Sequence, residues 1–174
     1  EIRATAVMAG YENDFLTASI GAFRGKQDDQ EKVNNSVGAL SLRPFEGIEF
    51  GVYAISDIGE SDTFRDNIIK DCENYDKAPG LGGYLSLEAW LLHLDAEYIS
   101  ATKAFEAGVF NDNEELKPHA WNLELTARLI ERLDLTARLE GGKDLLPAVE
   151  RQFGGAVNFG IVENLTITFE YLHT

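Results

Sequence analysis

Charged side chains at every second position are the residues with chemistry to offer in this chain. Residues 120–142 read AWNLELTARLIERLDLTARLEGG, and Glu124, Arg128, Asp134, Arg138 and Glu140 all fall on one side of the alternation. Glu49, Asp95, Glu97 and Glu170 hold equivalent places in other alternating stretches, as do Glu88, Arg3 and Arg43. Ladders of carboxylates and guanidiniums suit a wetted wall that selects among passing ions. They suit equally a narrow interior where the charges pair and fill the space. A three-residue turn puts Arg128 opposite Asp134 and Glu124 opposite Arg138. Such cross-strand pairs are favourable by roughly 0.2–1 kcal/mol each. A slip of one residue would break both pairs and invert both faces.

Other reactive residues are less organised. His93, His119 and His173 share neither a strand nor a metal-like spacing, and no Ser-His-acid arrangement stands out. Glu88 and His93 face each other across a turn at Trp90 and Leu91, which reads as a satisfied pair. The stretch FNDNEE (110–115) gathers oxygen ligands without the spacing of a calcium loop. GLGG (80–83) reads as strand entry, since no helix or lysine follows to make a phosphate loop. Cys72 is the only cysteine, so no internal disulfide or Cys-based zinc site is available. We expect no catalytic residues, no metal and no cofactor.

The elements that position the ladders are strands. Alternation of period two dominates and predicts ten of them, near 2–11, 15–24, 36–43, 48–57, 81–89, 92–101, 120–129, 133–141, 152–161 and 165–173. Most are about ten residues long, against five or six for a typical soluble strand and 9–11 for a tilted membrane-spanning one. The breaks alternate in length. Short ones fall at 12–14, 44–47, 90–91, 130–132 and 162–164, and long ones at 25–35, 58–80, 102–119 and 142–151. Short turns at one end and long loops at the other mark outer-membrane barrels. Residues 57–78 and 110–116 carry much of the acid, which predicts an acidic rim in water.

Composition is consistent with this. Apolar residues make up 44%, an ordinary folded value. No run of 18 apolar residues predicts a membrane helix. A net charge of −15 makes nucleic acid and anionic membrane surfaces poor partners. The first residues, EIRATAVMAG, lack a basic region followed by an apolar core, so a secretory signal is expected to lie elsewhere or to have been removed.

Alternation alone leaves open which face is inside. A soluble barrel would bury the leucines around an apolar ligand, and a membrane barrel would turn them to lipid. Aromatics on the apolar face favour the membrane. Tyr98, Trp121, Phe153 and Tyr171 stand near the long-loop end, and Phe50 and Phe159 nearer the short turns, as two interfacial girdles require. The expectation is an all-β, antiparallel up-and-down transmembrane barrel. Glu49, Asp95, Glu97, Glu124, Arg128, Asp134, Arg138, Glu140 and Glu170 would line its lumen. Both terminal strands point their outer ends toward the long loops. Residues 1–174 are therefore expected to form one domain that is an internal portion of a longer barrel; the alternative is a ten-strand barrel of unusual polarity.

Three stretches together resemble a known family: SLRPFEGIEFGVYAISDIGESD (41–62), KPHAWNLEL (117–125) and GGAVNFGIVENLTITFEYLH (154–173). They are similar to siderophore porins of the LbtU type, outer-membrane barrels of Gram-negative bacteria. The resemblance covers most of residues 15–173 and rests on strand and turn wording. It implies a channel for small polar solutes, with ferric siderophore uptake as the specific case, a lipid bilayer as partner, and a bacterial outer-membrane location. A homo-oligomer or complex partner, and a barrel that serves only as scaffold or sleeve, stay open.

Overall fold

The computed structural model describes residues 6–25, 33–61, 75–109, 114–144, 151–162 and 165–174. Its strands are β1 (Ala6–Glu12), β2 (Leu16–Phe23), β3 (Asn35–Phe45), β4 (Ile48–Ile55), β5 (Gly80–Ala89), β6 (Leu92–Ala101), β7 (His119–Ile130), β8 (Leu133–Lys143), β9 (Arg151–Val162) and β10 (Leu165–His173). One 3₁₀ turn, Ile58–Glu60, is the only helical element among the described residues. All ten strands form a single antiparallel sheet in sequence order. Strands β2 to β10 agree with the alternation to within two residues; residues 2–5 of the expected first strand lie outside the described residues. Cys72 and residues 110–113 also lie outside them.

The all-β antiparallel expectation holds. Among the described residues β1 and β10 are not paired, so the sheet is open, which goes against the alternative of a barrel closed by these ten strands alone. Each strand is hydrogen-bonded only to its neighbours in sequence.

Turn chemistry explains the tight ends. Asn13 Oδ1 accepts from Phe15 N at 2.9 Å and Leu16 N at 2.7 Å, which closes the β1–β2 turn through a side chain. Gly47 takes φ +77° between β3 and β4, where a Cβ would strike the Glu88 carbonyl oxygen. Register follows as read: Arg128 pairs with Asp134 and Glu124 with Arg138.

The two faces differ in exposure. On β7, Asn122, Glu124 and Thr126 are half-buried, while Trp121, Leu123 and Leu125 are exposed. β8 repeats the pattern, with Asp134, Thr136, Arg138 and Glu140 half-buried. Leu123 and Leu135 are each 38% exposed and Ile167 40%. The polar face, whose side chains bond one another and which the loop cluster partly covers, is thus the less exposed, inner one.

Two tyrosines stitch that inner face. Tyr53 pairs with Gly82, and Tyr84 with Gly51. Each ring lies where the glycine's Cβ would be. Tyr53 thereby crosses β5 and donates to Glu97 on β6, and Tyr84 donates to Glu49 at 2.6 Å. Glycine inside a strand is normally weakening, and here it makes room for a neighbour's ring.

The described residues bury their core at the long-loop end and not between sheets. Ile58, Tyr75, Ala78, Ala101, Phe105, Val109 and Leu116 form one buried cluster, resting on Ile55 and Ile99. The β4–β5 and β6–β7 connections thus fold together over the upper inner face.

Candidate functional site

The inner face is assembled by register. Glu49, Ser86, Asp95, Glu124 and Arg138 lie side by side across β4 to β8. The next row toward the long loops holds Tyr84, Glu97, Asn122 and Glu140. The next row toward the short turns holds Glu88, His93, Thr126 and Thr136, continuing through Ala156 to Glu170. Arg128 and Asp134 form a further row with Asn158 and Thr168. All nine residues expected to line a lumen therefore share one face. Glu170, on the edge strand β10, is the most peripheral of them.

Side chains refine what register predicts. Arg128 Nε donates to Asp134 Oδ1 at 3.4 Å, as expected across the hairpin. Arg138 does not bind Glu124: its Nη2 turns along its own strand to Glu140 Oε2 at 2.6 Å. Residues two apart on a strand share a face, so the choice between them is one of rotamer and not of register. His93 faces Glu88 in register. Its Nε2 nevertheless bonds Asp95 Oδ2 at 2.8 Å and Ser86 Oγ at 3.2 Å. A nucleophilic relay needs the serine and the acid on different ring nitrogens. Both contacts converge on one nitrogen, so this cluster is a hydrogen-bonded node and not a triad. Arg43 is a second node, 3.6 Å from Glu49 and 3.8 Å from Glu12, with Nη2 donating to Thr17 Oγ1 at 2.6 Å. Between the two nodes a cleft of about 430 Å³ opens near the short turns.

The outer face carries the expected aromatics. Tyr98 stands directly opposite Trp121. Phe153 pairs with Leu139, and its ring lies 4.9 Å from that of His173, beside Tyr171.

At the long-loop end Asp76, Glu114 and Glu115 stand exposed, as an acidic rim in water requires, but two acids of the same stretches do not. Asp57 and Glu60 are buried. Asp57 accepts from Gly59 N at 3.0 Å, Ala78 N at 3.3 Å and the Tyr75 hydroxyl at 3.0 Å. Asn35 Nδ2 donates to Glu60 Oε1 at 3.3 Å, and Lys77 Nζ donates to Asn35 Oδ1 at 3.1 Å. The carboxylates here fasten loops to strand ends. An Asp-x-Gly spacing at residues 57–59 is a turn signal that marks this role. Above them Lys103 Nζ meets Asp76 Oδ2 at 2.6 Å, tying the two long connections across the surface.

Burial raises the Asp57 pKa, against the pull of its three hydrogen bonds and with a smaller push from Glu60. A carboxyl whose folded value lies above its unfolded one stabilises the fold fully below the unfolded value and loses that contribution as pH rises through the folded one. The exposed Asp76 is shifted the other way by its Lys103 hydrogen bond, so its contribution survives until pH falls below about 4. Lowering pH from 7 to about 4 therefore adds the Asp57 contribution while that of Asp76 stays in place. Amide exchange at Gly59 and Ala78, corrected for intrinsic rate, should slow over that range; acceleration would contradict the assignment.

Comparison with protein-family models, with curated proteins and with solved structures finds no match.

Proposed function

We propose that this chain forms the wall of an outer-membrane channel for small polar solutes, an iron chelate being the cargo that the family resemblance suggests. One observation carries the reading: the leucine-rich face is the exposed outer one, and the charged ladders occupy the inner one. In water an apolar sheet face of this extent would be an aggregation site. Against hydrocarbon it is the required surface, and the polar groups opposite it are wetted by an enclosed lumen. The free edges of β1 and β10 must then be hydrogen-bonded in the membrane, because unpaired backbone is not tolerated in lipid.

A second reading is a sleeve or scaffold whose interior is filled. The buried cluster of Ile58, Phe105 and Leu116 favours it, since loops already cover part of the inner face. A soluble barrel around an apolar ligand would need an apolar interior, and the rows named above are mostly carboxylates, guanidiniums and hydroxyls.

The full-length protein should be extracted only by detergent, should migrate differently on a gel before and after heating, and should conduct in a planar bilayer. Release by salt alone would overturn the membrane reading. Stable insertion without conductance would leave the sleeve.

A further inference from the structure

The short-turn rim carries apolar side chains that neither the inner face nor the loop core employs. Phe15, Phe45, Ile130 and Val162 stand exposed at four hairpin ends. Trp90 stands at the remaining one and, at 94% exposed, is the barest large hydrophobic among the described residues. Its φ is +54°, the left-handed region that bulky residues rarely adopt. A two-residue hairpin with positive φ at its first position takes glycine, asparagine or aspartate when folding alone decides. Packing and backbone preference both argue against tryptophan here, so its place needs another cause.

Its height in the sheet supplies one. Tyr98 faces Trp121 on the outer surface. Ala89 pairs with Leu92, so Trp90 in the turn lies about seven residue steps below Tyr98. At about 3.3 Å per residue the two aromatic levels are roughly 23 Å apart along the strand. With strands tilted about 40°, that is about 18 Å along the membrane normal. The outward apolar band of a membrane barrel is about 25 Å tall, with aromatics at both margins. Between the levels β6 presents Leu92, Leu94 and Ala96 outward, without a charge.

We propose that Trp90 sits at headgroup level in a lipid bilayer on the short-turn side, and that it sets the depth of the sheet against the Tyr98–Trp121 level. The proposal rests on the membrane reading above.

The chain has two tryptophans, so, once any tryptophan of the full-length protein outside these residues is replaced by phenylalanine, each can be made the sole probe. Trp121→Phe leaves Trp90, and Trp90→Phe leaves Trp121. Each full-length variant is folded into phosphatidylcholine vesicles carrying a nitroxide either on the headgroup or at mid-chain. Both tryptophans should be quenched at least about twofold more by the headgroup label. If Trp121 behaves so and Trp90 is quenched by neither label, or more by the mid-chain one, the depth assignment is overturned and the membrane reading stands. If both answer only to acrylamide in the water, both readings fall together.

Discussion

Replacing Phe105 by alanine should cost about 3–5 kcal/mol of local stability and open the long-loop end while leaving the strands paired. Phe105 is fully buried, its ring 5.6 Å from that of Tyr75. Its backbone bonds Leu116 in both directions, at 2.8 and 3.2 Å. It is thus the pin where the two long connections meet, and the small cluster around it has few side chains to close a cavity. The strands contribute Ile55, Ile99 and Ala101 from below but have their own ladders. Limited proteolysis of the variant should cut within 57–61 and 102–118 at least tenfold faster than in the parent, while hydrogen exchange in β7 and β8 stays slow. Equal cutting rates would show that the cluster does not hold the loops, and the sleeve reading would lose its support.

Charge reversal at Arg138 should alter ion selectivity more than the same change at Arg128. Arg138 is the cation beside Glu124 in the row that runs through Glu49 and Asp95, with Arg43 at the far end of that row, 3.6 Å from Glu49. Its side chain is less exposed than that of Arg128, which stands beside Asp134 nearer the short turns. A unit charge a few ångströms from a passing ion in water is worth about 1 kcal/mol, roughly fivefold in relative permeability. Arg138→Glu should therefore shift the reversal potential in a KCl gradient toward cations by at least that factor, and Glu124→Lys should shift it the other way. Both shifts should shrink in 1 M salt, where screening reaches only about 3 Å. A selectivity that ignores both substitutions would count against a lumen on this face.

The strands were legible because a two-sided sheet imprints its period on sequence. Residues 120–142 announce both faces and the register, and the structure agrees; the turn read as 130–132 tightens to Glu131–Arg132, with the extra residue taken up as a register shift beside Leu129. Rotamer-level choices were not legible: Arg138 has Glu124 across from it and Glu140 beside it, and both satisfy the same pattern. The loop core was hidden for a different reason. Ile58, Ala78, Phe105, Val109 and Leu116 follow no period and sit among acids, so the segment reads as solvated. Burying Asp57 requires three donors from separate places, and only the folded chain brings Gly59, Ala78 and Tyr75 together. The positive φ of Trp90 leaves no mark at all, because the residue there is the opposite of what the turn prefers.

The sheet's sequential order has an evolutionary corollary. Because each described strand's backbone ladder joins only its neighbours in sequence, a hairpin can be duplicated or lost while the antiparallel ladder continues through the strands that remain. In a closed barrel on this plan, circumference would be adjustable in steps of two strands, and the two faces would keep their identities through every step.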